Sequence, residues 1–244
     1  MKAGCDHAHL DDMIDIRSFG SLGHADHGWL DARHHFSFAN YHDPARMAWG
    51  RIRVWNDDTI AAQSGFPPHG HSDMEIITYV RSGAISHEDS LGNKGRTAAG
   101  DVQVMSAGSG VRHSEFNRED EATTLFQIWI ESDTPGVAPG WGAMPFPKDN
   151  RDGRFQTLAS GDPDDGALTI HADARVLGAN LSPGATIEID LDPARHQYLV
   201  ASGPVSVNAI AAGARDGIAI TGEDRIVVVA TGQDAVELVL VDAR

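Results

Sequence analysis

The chain has 244 residues, 41% hydrophobic and 22% charged, with 26 Gly, 11 Pro and a single Cys. That composition supports one large or two small globular domains and excludes a fibrous or disordered chain. A net charge of −16, shared about equally between the two halves, argues against nucleic acid or an anionic membrane as a direct partner.

At the start, MKAGCDHAHLDD lacks the apolar core of a signal peptide, and no apolar run along the chain is long enough for a membrane-crossing helix. Cys5 has no partner for a disulfide, so a cytoplasmic location is expected. Cys5, His7 and His9 could share a metal, but a polar segment of this kind reads first as a tail. His24, His27, His34, His35 and His42 follow. Their spacing fits no tetrahedral zinc pattern and no thiolate accompanies them, so structural or surface roles are expected. DARHHFSFANYHDP reads as loop with a short strand.

Strand signals then dominate. MAWGRIRVWN, MEIITYV, GDVQVMS and TTLFQIWIE are short runs rich in β-branched and aromatic residues. WNDDT, RSGA, SLGNKG and AAGD supply turns between them. The stretch SDTPGVAPGWGAMPFPKDNRDG has the Pro and Gly density of a linker. Eleven of the 13 histidines and all five tryptophans lie at or before Trp141, which places a boundary near 141–150 and domains at 1–140 and 141–244. Beyond it LTIHADARVLGANL, ATIEIDL, QYLVASG, VSVNAI, GIAIT, RIVVVA and VELVLV repeat the strand pattern. The expected class is all-β, with an antiparallel sandwich or barrel in each half. DPDDG at 162–166 reads as a turn, because Gly166 falls where a calcium loop needs an oxygen ligand. Gly108-Ser-Gly110 lacks both the third glycine and the following helix of a nucleotide loop. Trp49, Trp55, Trp129 and Phe126 read as core.

Two pairs carry the chemistry. Residues i and i+2 of a strand share a face, so His69 and His71 of GFPPHGHSDME point the same way. So do His113 and Glu115 of GSGVRHSEFN. On neighbouring strands the pairs would converge on one point as three imidazoles and a carboxylate, a mixed N/O donor set suited to a divalent transition metal. Glu75 shares the parity of His69 and His71, and parity alone does not choose between Glu75 and Glu115. His171 and His196, the only histidines of the second half, cannot rebuild such a site there.

These residues carry a resemblance. Gly65 to Glu75 resembles the first cupin motif, and Gly100 to Asn117 the second, with Gly108-Ser-Gly110 in place of the usual Pro-x-Gly. That departure, with DMEIITYV, HEDSLGNKG, MSAGSGVRHSE, FQIWI and HGWLDARHHFSFANYHDP, resembles the pirin family of bicupins, most strongly over residues 17–135. The resemblance implies two cupin barrels in tandem, the first metallated and the second empty, with the second helping to wall the pocket. It implies His69, His71, His113 and Glu115 as ligands of one divalent ion, iron first, with Ni, Cu, Mn, Co or Zn as alternatives. Glu75 would then orient a histidine, and Asn117 would tune the surroundings of the site. The implied activity is that of a quercetin 2,3-dioxygenase-like oxidoreductase acting on a flavonol and dioxygen, with Glu115 accepting the substrate's hydroxyl proton. A metal-binding regulatory or protein-interaction module without turnover is the alternative. With no heptad stripe or long apolar edge in the sequence, a monomer is expected.

Overall fold

The computed structural model describes residues 13–147 and 151–244, so Cys5, His7 and His9 lie outside the described residues. Its regular structure is strand throughout, apart from short helical turns. The first half contains β1 (Met13–Arg17), β2 (Gly23–Asp26), β3 (Leu30–His34), β4 (Ile52–Ile60), β5 (Ser64–His71), β6 (Met74–Ser82), β7 (Ala84–Asp89), β8 (Lys94–Ala98), β9 (Val102–Ser106), β10 (Val111–Asn117) and β11 (Thr123–Glu131), and β12 (Gly140–Met144) starts at the boundary and runs beyond it. The second contains β13 (Gln156–Ser160), β14 (Leu168–Thr169), β15 (Ala174–Leu181), β16 (Thr186–Asp190), β17 (His196–Ala201), β18 (Val205–Val207), β19 (Ile210–Ala212), β20 (Gly217–Thr221), β21 (Arg225–Ala230) and β22 (Val236–Ala243). No helix among the described residues is long and apolar enough to cross a membrane.

Each half builds a seven-stranded and a four-stranded sheet, the two layers of a cupin barrel. In the first half the orders are β12-β9-β6-β11-β4-β3-β2 and β5-β10-β7-β8; in the second they are β1-β20-β17-β22-β15-β13-β14 and β16-β21-β18-β19. Pairing crosses the division after residue 140 in both directions. β1 adds to β20 of the second half, while β12 adds to β9 of the first. The Pro-rich stretch expected as a linker is therefore partly strand, and Phe146 within it is buried.

The two large sheets pack against each other. The largest apolar cluster joins Phe36, Trp55, Tyr79 and Phe126 of the first half to Tyr198, Val200, Val239 and Val241 of the second. This explains why MEIITYV and VELVLV read as near-continuous apolar runs: their strands are covered on both faces. By contrast β21, in a small sheet, alternates buried and more open positions. Charge also crosses this interface. The buried Asp57 carboxylate is held by Arg81 and, at 2.6 Å, by Arg215 of the second half. Aliphatic side chains such as Leu199, Val228 and Leu238 fill the second barrel.

Candidate metal centre

The site begins with an irregular strand. Among the described residues β5 lies at the edge of its sheet and pairs with β10 alone. His69 faces His113 and Phe66 faces Glu115, so Pro67 and Pro68 together oppose the single residue Ser114. Proline cannot donate to a ladder, and an edge bulge is where two prolines are tolerated. Gly65 completes the close approach, since a Cβ there would come within 2.2 Å of the Glu115 carbonyl oxygen. On β10 strict alternation turns Val111, His113, Glu115 and Asn117 inward.

His69, His71 and His113 converge. Their rings lie 4.5 to 5.0 Å apart, centre to centre, and each offers a ring nitrogen within 4.8 Å of the others. Two nitrogens on one ion at about 2.1 Å can be about 4.2 Å apart at most, so slight ring adjustment closes the cluster. Hydrogen bonds set two tautomers. His69 Nδ1 lies 2.8 Å from the Pro67 carbonyl, which can only accept, so Nε2 carries the lone pair. His113 Nδ1 lies 3.5 Å from His87 Nδ1, and His87 Nε2 lies 3.2 Å from Asp89 Oδ2. The carboxylate accepts from His87 Nε2–H, which leaves His87 Nδ1 to accept, so His113 donates from Nδ1 and its Nε2 is bare. The Nε2 atoms of His71 and His113 are buried and have no hydrogen-bond partner among the described residues. Bare, buried imidazole nitrogens facing one point are what a metal ion would satisfy, so this donor set fits one.

Burial, reinforced by the neighbouring histidines, pulls the His71 pKa down to about 4 and that of His113 to about 3. Both are neutral at neutral pH, the form in which an imidazole can bind a metal ion. His35 is buried between the halves beside Tyr198, and burial followed by repulsion from Arg17 takes it to about 3. An unfolded histidine takes its proton near 6.5, so acid favours the unfolded chain from that pH down to the folded value. We predict that His35→Gln loses less stability than the parent between pH 7 and pH 4.5, by about 2–3 kcal/mol, read from urea unfolding at the two pH values.

Glu115 lines the same cavity but stands outside the three-histidine cluster. Its Oε1 accepts from Thr78 Oγ1 (3.1 Å) and Gln103 Nε2 (2.6 Å), and its Oε2 accepts from Gln127 Nε2 (2.8 Å). Thr97 in turn donates to Gln103 Oε1 at 2.9 Å. Oε2 therefore keeps a lone pair for a ligand or a proton. Glu75 orients none of the three clustered histidines; its histidine neighbour is His171 of the second half, whose backbone it meets. The turn at Ser72–Asp73, with Asp73 at φ 50°, resets the alternation. Glu75 then faces the second half together with Ile77 and Tyr79, accepting from Ser106 Oγ at 2.6 Å. Asn117 is also a structural residue: its Nδ2 donates to the carbonyls of Ile60, Ala61 and Glu121.

The cavity has a volume of about 590 Å³, and among the described residues every one lining it comes from the first half. The second half packs behind the large sheet and forms no wall of it. His24, His27 and His34, expected at the surface or in structural roles, line it too. His87 and Asp89 escaped the sequence reading because no spacing rule ties them to β10; strand pairing does, with Asp89 opposite His113. Gln103 and Gln127 could have been noticed as lone amides amid apolar runs. Trp141 stacks on His87 at 5.0 Å and 10°, so the residue marking the compositional boundary supports the site. We predict that His87→Phe, which preserves the stacking, weakens metal affinity about 10–100-fold, read by competition with a chelator.

Comparison with known proteins agrees with this architecture. The Pirin family model matches residues 15–130 and the model described as "Quercetinase C-terminal cupin domain" matches residues 157–243. A pirin-like protein of Caulobacter vibrioides is 61% identical, the match spanning 95% of this chain and 100% of that one. A protein of Escherichia coli K12 named quercetin 2,3-dioxygenase is 42% identical over 88% of this chain and 92% of its own. The crystal structure of the bacterial pirin YhhW from E. coli in complex with nickel(II) superposes with a TM-score of 0.88 at 39% identity, covering 95% of this chain and 99% of that one. With two cupin barrels, a three-histidine cluster in the first and this degree of identity along its length, the chain belongs to the pirin family.

Proposed function

We propose that the protein is a metal-dependent dioxygenase that opens the ring of a flavonol such as quercetin. His69, His71 and His113 hold one divalent transition-metal ion, with Glu115 as fourth ligand and as acceptor of the substrate's hydroxyl proton. The observation that carries this reading is the pair of bare, buried nitrogens on His71 and His113 at a cavity of about 590 Å³, a size that takes a ligand of several rings. Iron is the first expectation for the ion, and nickel is the ion in the related E. coli structure. When bound, the ion supplies Lewis acidity toward a substrate oxygen.

The chain's own residues do the rest. Phe38, Phe66 and Trp129 line the cavity with flat apolar faces suited to an aromatic ligand, and Trp129 meets His71 edge-on at 4.9 Å. Thr78, Gln103 and Gln127 fix the Glu115 carboxylate in one orientation, so proton transfer needs no rearrangement of the base. A regulatory role without turnover would use the same ligands, and oxygen uptake separates the two. Metal-loaded protein mixed with quercetin is expected to consume dioxygen and release carbon monoxide. No uptake across a broad flavonol panel, with the ion still bound, overturns the enzymatic reading.

A further inference from the structure

Asn56 and Asp58 sit two residues apart on β4, and both side chains face the cavity. Asp57 between them turns the other way, to Arg81 and Arg215. Asp58 is 2% exposed, and its Oδ1 is sealed from solvent without a hydrogen-bond partner. Among the described residues no hydrogen bond or ion pair reaches its carboxyl group. Burial, with Asp57 and Glu115 nearby, pushes its pKa well up. Asn56 is oriented: its Oδ1 pairs with His34 Nδ1 at 2.8 Å, and its Nδ2 makes no hydrogen bond among the described residues.

A buried acid with no partner destabilises the fold, and such groups persist where a ligand completes them. The metal reading uses neither Asp58 nor Asn56. The group that suits both must donate and accept at once. A hydroxyl does so, whereas an ammonium cannot accept and would be repelled by a divalent ion held in the same cavity. We infer that Asn56 and Asp58 form a polar subsite for a ring hydroxyl of a phenolic ligand, the hydroxyl donating to a carboxyl oxygen of Asp58 and accepting from the Asn56 amide. The inference rests on the flavonol reading of this cavity and names the residues that choose among flavonols. A site built to bond a hydroxyl discriminates strongly against the analogue lacking it.

The test measures equilibrium binding to the nickel-loaded protein without dioxygen, by quenching of tryptophan fluorescence. Quercetin is compared with the parent flavonol, which keeps the chelating hydroxyl and carbonyl but lacks the other ring hydroxyls. The parent protein is expected to prefer quercetin by about tenfold or more. Asp58→Leu brings that ratio close to one, and it raises the melting temperature by about 2–4 °C. Asp58→Asn, which keeps the shape, serves if the leucine variant does not fold, and is expected to lower the ratio as well. A preference that is absent in the parent protein, or unchanged in the variants, overturns the subsite even if oxygen uptake succeeds. A preference that disappears in the variants while uptake is silent upholds the subsite and overturns only turnover. Failure to bind either flavonol overturns both.

Discussion

His113→Ala is expected to empty the metal centre. Metal content after dialysis against a weak chelator falls to background, and affinity drops by more than about 100-fold, beyond what loss of an outer partner causes. The reason is positional. His113 is 2% exposed and its ring lies within 5.0 Å of both His69 and His71. Those two belong to an edge strand and are less buried, so they form an incomplete and accessible pair without it. His113 is also the member through which His87 and Asp89 reach the cluster. Flavonol turnover should disappear with the ion. Retention of a stoichiometric ion by the folded variant would remove His113 from the ligand set, and circular dichroism checks that the fold survives.

Glu115→Gln is expected to lower kcat/KM for a flavonol by about 100-fold or more, the scale of a lost general base. The side chain keeps its shape, but its NH₂ group now meets donors. Thr78, Gln103 and Gln127 all point hydrogens at the present carboxylate, so at least one donor is left unsatisfied, costing about 1–3 kcal/mol of stability. Metal content separates the two roles proposed for Glu115. An ion retained while turnover is lost identifies the carboxylate as the proton acceptor, and an ion released identifies it as a ligand. Wild-type turnover in the variant would exclude Glu115 from the chemistry.

The fold class was legible because its signals are local. Turn chemistry such as RSGA and SLGNKG separates runs whose composition favours strands, and DMEIITYV and TTLFQIWIE became β6 and β11 almost residue for residue. The convergence of His69, His71 and His113 was legible for a similar reason, since alternation within a strand is set by the pleat. It held on β10 and over the short reach from His69 to His71. It broke at the turn before Glu75, where the left-handed Asp73 restarts the alternation and sends that carboxylate to the opposite face.

Sequence by itself determined the β character, the three inward histidines and the absence of a comparable set in the second half. Tertiary structure decided which strands became neighbours. Through that it decided the Asp89–His87–His113 chain, the amides around Glu115, the exclusion of the second half from the cavity and the exchange of β1 and β12 across the compositional boundary. The physical reason is that the side-chain period belongs to each strand alone. Register, bulges and the packing of one sheet on another arise from pairings between residues far apart in the chain, which no local pattern encodes.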